Sequence, residues 1–346
     1  MNRKITVGVL FGGQSSEHEV SRVSASSVIR NLDVNKYEVL KIGITKIGTW
    51  HIFDGPVEKI ENGEWEKEIS GLGLSIIDKT REQVDVFFPA LHGVYGEDGS
   101  VQGLLELMNK PYVGPGILGS ALGMDKVFAK IIFDYEGIPQ AKYLVLKRKN
   151  IKEDMEGFVK GIEDKFGYPC FIKPSNAGSS VGVSKAHNRE ELVEGLKMAS
   201  LHDRKVIVEE FVEAREIECA VLGNHDPIAS VVGEIIPSRE FYDYDSKYND
   251  GTSQIIIPAD LDEESSNKIR KYAVRAFKAL DCAGMSRVDF FVHKITGQIY
   301  INEVNTIPGF TSISMYPKMI EASGISYSEL LDRLIELAFE MHREKV

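Results

Sequence analysis

The chain opens on an apolar run, KITVGVLF (4–11), which ends in Gly12-Gly13 and gives way to a helical pattern with Val20, Val23 and Val28 along one side. A β-branched run, a glycine turn and a helix make the first unit of a doubly wound α/β domain. YEVLKIGI (37–44) and VDVFFPAL (84–91) predict further strands, and VQGLLELMN (101–109) predicts a helix. Residues 54–80 are polar, contain glycine and keep no period, so they read as a surface excursion.

The pattern changes near residue 125. Asp125 predicts the N-cap of a helix running to Glu136, closed by Gly137 with Pro139 beyond. A second helix, about 153–166, carries Met155, Phe158, Val159, Ile162 and Phe166, and ends at Gly167. A strand (170–173), a Gly/Ser loop (174–182), another strand, a helix (189–200) and a strand (205–209) complete a small α+β unit. A third unit begins near 214, with strands at 216–222 and 228–236 and a polar, Tyr-rich stretch from 238 to 254. The helix at 262–280 aligns Ile269, Tyr272, Ala273, Ala276, Phe277 and Leu280 on one face. Strands at 286–293 and 298–304 and a C-terminal helix from about 326 follow. The reading is α/β and α+β in three domains, 1–125, 126–213 and 214–346.

A length of 346 residues fits this division, because it exceeds one ordinary core. The net charge of −11 argues against broad binding to nucleic acid or anionic membrane. The N-terminus runs straight into a strand, without the pattern of a signal peptide, and no apolar stretch is long enough to span a bilayer. Cys170, Cys219 and Cys282 lie far apart with no metal-type spacing, so they predict buried, reduced thiols in a cytoplasmic protein.

The most informative segment is SRVDFFVHKITGQIYINEVN (286–305). Strand side chains alternate faces, so Arg287 and Asp289 share one face while Val288, Phe290 and Val292 share the other. With the turn centred at Thr296, Asp289 pairs with Glu303 and Arg287 with Asn305. Two carboxylates and an amide on one face are hard oxygen donors suited to Mg²⁺. Arg287 beside them suits a phosphate or a developing oxyanion. The alternative is a solvated face with a cross-strand ion pair.

KPSNAGSSVGVSK (173–185) places Gly178, Ser179, Ser180 and Gly182 after a strand, a composition able to fold amides and hydroxyls over phosphates. Taken alone, a flexible hairpin loop explains it as well. Lys173 in a strand and Lys126 in the first turn of a helix shift the balance. A first-turn lysine opposes the helix dipole, which points to another use such as phosphate contact, with an idle exposed side chain as the alternative. In VIVEEFVEAREIE (206–218), strand-edge groups from Glu209 to Val212 suit an adenine edge and Glu216 suits ribose hydroxyls, although a glutamate after a strand is commonly just solvated.

In order and spacing, FGGQSSEHEVS (11–21), LHGVYGEDGSVQG (91–103), GMDK (123–126), IKPSNAGSSVG (172–182), EEFV (209–212), FYDYDSKY (241–248), SRVDFF (286–291) and NEVNTIPGFTSIS (302–314) resemble the D-alanine–D-alanine ligases of the ATP-grasp superfamily. The resemblance covers nearly the whole chain. It implies a three-domain ATP-grasp architecture that joins two D-alanine molecules through a D-alanyl phosphate, for peptidoglycan precursor synthesis. Lys126, Lys173, Ser180, Glu209, Phe211, Val212 and Glu216 then match nucleotide-binding positions, and Lys247 a phosphate contact. Asp289, Glu303 and Asn305 match ligands of Mg²⁺ or Mn²⁺, two ions in all. Glu17 matches the acid that holds the first D-alanine's ammonium, with His92 and Tyr242 near substrate. Ser179, Tyr248 and Glu17 match a hydrogen-bonded trio that closes a loop, the Tyr-rich lid, over the site. Arg287 and the Gly309 amide match the oxyanion-stabilising pair, and Ser314 a contact to the second carboxylate. A homodimer is also implied. Glu210 departs from members that carry Lys there, and 51–80 stands as an insertion.

Overall fold

The opening apolar run is strand β1 (Ile5–Gly12), buried along most of its length. In the computed structural model, which describes residues 3–69, 76–237 and 254–345, β1 pairs in parallel with β2 (Tyr37–Ile44) and β4 (Val86–Pro89). A short strand β3 (Trp50–Ile52) adds antiparallel to the outer edge of β2. The helix His18–Asn31 crosses between β1 and β2 and buries Val20, Ala25 and Val28. This is the expected doubly wound beginning.

Residues 54–80 correct the expectation of a surface excursion. They contain the helix Val57–Glu61, a tight turn at Glu64–Lys67 and the start of the helix Ile76–Gln83. Trp65 is fully buried, edge-on to Phe11 at 4.9 Å between ring centroids. It fills the space above Gly43, where a Cβ would fall 2.3 Å from the indole. Phe53 and Ile60 are buried in the same cluster. Ile60 and Trp65, isolated in a polar segment, leave no period, yet with Phe53 just before it they pack on one face of the sheet.

The second sheet has the antiparallel order β5 (Tyr143–Lys147), β8 (Lys205–Glu210), β6 (Cys170–Pro174), β7 (Ser184–Ala186). The helices Met155–Phe166 and Arg189–His202 bury Val159, Ile162, Leu192 and Leu196 against Ile172, Val206 and Val208. Both helices begin on the side-chain caps Asp154 and Asn188. The other face of this sheet, with Phe171, Lys173 and Glu209, is left for a cleft.

The third sheet is β11 (Gln254–Ile256), β10 (Ile228–Ile236), β9 (Ala214–Gly223), β12 (Gly284–His293), β13 (Ile299–Asn305). Alternation along β9 divides its two faces. Ile217, Cys219 and Val221 join Ile269, Ala273 and Phe277 of the helix Glu263–Ala279, and Ala129 and Phe133 of the helix Lys126–Tyr135. Ala220 and Leu222 join Met315 and Tyr316 of the helix Met315–Ala322 in a second cluster. The C-terminal helix Tyr327–Lys345 adds Leu330, Leu331, Leu334 and Ile335 to that cluster, which also holds Val7, Val9 and Phe88, so the first and third sheets share one core. All three cysteines are buried and free. Among the described residues no helix is long and apolar enough to cross a membrane.

Candidate active site

The hairpin pairs as its pattern predicts: Asp289 opposes Glu303 and Arg287 opposes Asn305. The register shifts between Asp289 and Phe290, leaving Asn302 as an extra residue on β13. This bulge lets Asn302 and Glu303 both face the cleft, where strict alternation would send one of them into the core. Arg287 grips Asp289 with two parallel bonds of 2.8 Å, and its Nε lies 2.9 Å from Glu218 Oε2. The Asn305 amide donates to Asp289 Oδ2 at 2.9 Å. Among the described residues no group of three or more His, Cys, Asp or Glu side chains is arranged to hold a metal. The donor set is two carboxylates with one amide oxygen, open toward the cleft, which suits a hard cation that completes its shell with phosphate and water.

A second wall comes from the sheet β5–β8–β6–β7. Lys173 Nζ lies 2.5 Å from Glu209 Oε2, and Lys130 Nζ lies 2.8 Å from Glu209 Oε1. Burial alone would raise the Glu209 carboxyl, but the two lysines outweigh it and hold it at about 2. The same pairing raises Lys173 against the effect of its own burial. Lys126 Nζ donates to the Ala177 carbonyl at 2.9 Å and lies 3.4 Å from Glu303 Oε2, joining the helix start, the loop and the hairpin. Asp125 caps that helix through Val127 N–H and Phe128 N–H, accepts from Ser175 Oγ at 2.6 Å, and pairs with Lys205. The base of the 174–182 loop is thereby tied to the helix that carries Lys126. Ser179 and Ser180 hold positive φ values of 46° and 60°, which non-glycine residues seldom adopt.

The third wall is the end of β1 and the loop after β4. Glu17 is buried and accepts a bond from Ser179 Oγ. Its other oxygen sits against backbone: a Cβ at Gly93 or at Gly178 would lie 2.6 Å from Oε2. His92 is buried, and burial holds its imidazole below the usual range. Because the Ile307 carbonyl 3.1 Å away can only accept, His92 Nδ1 donates to it, and Nε2 accepts from Ser24 Oγ at 2.9 Å. Ser24 Oγ accepts in turn from Phe310 N–H. Glu97 accepts from the Gly93 amide at 2.9 Å. Burial and the nearby Glu17 push its carboxyl up to about 8. Gly309 packs on Ser314, with room for a Cβ only 2.8 Å from Ser314 Oγ, and Ser314 Oγ accepts from Thr311 N–H at 3.0 Å.

These walls enclose one cleft of about 1170 Å³. Glu17, His92, Lys126, Lys173, Ser179, Ser180, Glu209, Phe211, Val212, Glu216, Arg287, Asp289, Glu303, Asn305, Gly309 and Ser314 all line it. Tyr242, Lys247 and Tyr248, with the rest of the expected lid, lie outside the described residues apart from the short strand that starts at Gln254. Sequence reasoning missed Lys130, Glu97 and Glu218. Lys130 stands one helical turn after Lys126, and Glu97 lies inside the HGVYGEDG motif, so both had a local signal; Glu218 had none beyond its place in β9.

Known proteins match along the whole chain. The family model described as D-ala D-ala ligase N-terminus matches residues 6–115, and that described as D-ala D-ala ligase C-terminus matches residues 132–336. A D-alanine–D-alanine ligase from Acetivibrio thermocellus is 56% identical over 371 residues, covering 100% of this chain and 99% of the relative. The solved D-alanine–D-alanine ligase from Coxiella burnetii has a TM-score of 0.86 at 38% identity, covering 99% of this chain and 97% of that one. The VanG D-Ala:D-Ser ligase from Enterococcus faecalis has a TM-score of 0.86 at 42% identity, covering 97% and 100%. With both halves matched by family models and more than half of its positions shared with a full-length relative, the chain belongs to the D-alanine–D-alanine ligase family.

Proposed function

We propose that this chain is an ATP-dependent carboxylate–amine ligase that joins two D-alanine molecules into D-alanyl-D-alanine, releasing ADP and phosphate, as a step toward peptidoglycan precursors. The observation that carries the reading is the meeting, in one cleft, of the buried Glu17–Ser179 contact with the hairpin group Arg287, Asp289, Glu303 and Asn305.

A carboxylate is a poor acyl donor because its leaving group would be oxide. In the proposed sequence a carboxylate oxygen of the first D-alanine attacks the γ-phosphorus of ATP, ADP leaves, and an acyl phosphate results. Glu17 holds the ammonium of this substrate. Ser179 fixes Glu17 by donating to its other oxygen, and neutral His92 lies alongside. Lys126, Lys173 and the amides around Ser180 bind the phosphates, with Phe211, Val212, Glu209 and Glu216 around adenosine. Asp289, Glu303 and Asn305 would hold magnesium or manganese, which supplies neutralisation of the charge on the transferring phosphoryl group. The amine of the second D-alanine, held by its carboxylate at Ser314, then attacks the acyl carbon. Phosphate leaves and the amine's surplus proton is lost. Arg287 and the Gly309 amide stabilise the tetrahedral oxyanion.

The test is ADP release with and without D-alanine, with products separated by chromatography and D-serine and D-lactate offered in competition. D-alanine-dependent ADP release with the dipeptide as main product is expected. ADP release independent of D-alanine would overturn the reading. A D-alanyl-D-serine majority, the activity named for the Enterococcus relative, would reassign the acceptor. We further assign the protein to the cytoplasm, as a homodimer, with domains 1–125, 126–213 and 214–346. The three sheets fall within these limits, and core sharing ties the first helix of the middle segment to the third sheet.

A further inference from the structure

Glu209 carries one lysine on each carboxylate oxygen, Lys173 on Oε2 and Lys130 on Oε1. The side chains of Lys130 and Glu209 are only 3% and 5% exposed, and that of Lys173 13%. Glu209 stands opposite Phe171 and Lys173 opposite Ile207, so the acid and Lys173 are diagonal neighbours on the cleft face of the sheet. Lys130 reaches the same acid from the helix Lys126–Tyr135. Its ammonium also lies 3.4 Å from Gln140 Oε1 and 5.5 Å from the centre of the Tyr143 ring.

Charge counting gives this arrangement a purpose. A lone Lys173–Glu209 pair is electrically neutral: the acid would aim the lysine and at the same time cancel its attraction for a phosphate. Glu303 and Glu216 also draw on Lys173. With Lys130 included, the buried group of three carries a net charge of about +1 at neutral pH. We propose that Lys130 is a positioning residue for nucleotide binding: it neutralises Glu209, so that Glu209 can orient Lys173 while the lysine keeps its pull on the phosphates of ATP. The inference rests on the reading above, in which Lys173 meets those phosphates.

Calorimetric titration of the intact chain with magnesium–ATP tests it, using wild type, Lys173→Met, Lys130→Met and Lys130→Arg. Binding by wild type and weaker binding by Lys173→Met are the control. If either is missing, the nucleotide reading fails, whatever Lys130 does. With the control met, Lys130→Met is expected to weaken ATP about tenfold, the equivalent of about 1.4 kcal/mol. Lys130→Arg is expected to stay within about threefold of wild type, because it keeps a cation beside Glu209. A packing role would give the reverse order, since Met is closer to Lys in volume than Arg is. Wild-type affinity in Lys130→Met, or a Lys130→Arg no tighter than Lys130→Met, overturns the proposal. Breaking a buried pair can itself unfold a protein. If Lys130→Met does not fold, Lys130→Arg is compared with wild type, where affinity within about threefold supports the proposal and a greater loss overturns it.

Discussion

Gly178→Ala should damage use of D-alanine while leaving the fold intact. A methyl group at Gly178 falls 2.6 Å from Glu17 Oε2 and 3.5 Å from the Gly93 Cα. Ordinary contact begins near 3.4 Å, so the carboxylate or the loop must move by about 0.8 Å. Gly178 is absent from the positive-φ residues, so alanine there adds no left-handed backbone strain. The displacement falls on the hydrogen bond between Ser179 Oγ and Glu17. A misplacement near 1 Å in a reacting assembly can lower the rate by about 10²-fold, so kcat/KM for D-alanine at saturating ATP should fall by roughly that factor. Unfolding in urea should shift by less than about 1 kcal/mol, as for substitutions that leave the core alone. The assay is coupled ADP release against D-alanine concentration, with the urea midpoint measured on the same preparation. A kcat/KM within twofold of wild type would refute the idea that Glu17 is held against the loop backbone in the working enzyme.

Asp289→Asn and Glu303→Gln should each lower turnover by at least ~10-fold with the melting temperature nearly unchanged, and normal activity with unaltered magnesium dependence would remove both from the metal site. Trp65→Ala should cost about 3–5 kcal/mol in urea unfolding, because a fully buried indole packed on Phe11 and Gly43 leaves a cavity; a loss below 1 kcal/mol would return 54–80 to the surface. Glu97 has a folded pKa of about 8 against an ordinary 4.5, so the native state binds the extra proton between those values and stability falls as pH rises through that window. Glu97→Gln should therefore gain melting temperature on wild type from about pH 4.5 to about 8 and run parallel to it below; parallel curves throughout would place the Glu97 pKa in the ordinary range.

The hairpin was legible because its information is local. Period-two alternation and a glycine turn suffice to bring Asp289 opposite Glu303. The bulge at Asn302 was not legible, since nothing in IYINEVN distinguishes one register shift from continuous pairing. Trp65 was hidden for another reason: a single aromatic residue in a polar stretch has no periodic neighbours, and its burial depends on Gly43 leaving room on a strand far back in the chain. Lys130 and Glu97 read as ordinary charges. Their burial follows from partners on other elements, Glu209 in one case and the Gly93 and Ile307 amides in the other. Family resemblance supplied candidate positions that spacing alone left ambiguous, such as Glu17 and Ser314, and the fold gathers them in one cleft.

The shared core of the first and third sheets makes the two ends of the chain a single mechanical body. Leu330, Leu334 and Ile335 are interleaved with Val7, Val9 and Phe88, and Lys36 is clasped to Asp332 at 2.5 Å. The sheet β5–β8–β6–β7 has a core of its own, drawn entirely from residues 144–208. The middle of the sequence is thus the arm and its two ends are the chassis. Prying the two ends apart would open a hydrophobic interior, whereas swinging the arm disturbs chiefly polar joints such as Asp125–Ser175 and Lys126–Ala177. Nucleotide entry and product exit are most economically served by that swing, and trimming the last helix should loosen the opening strands of the chain before it touches the arm.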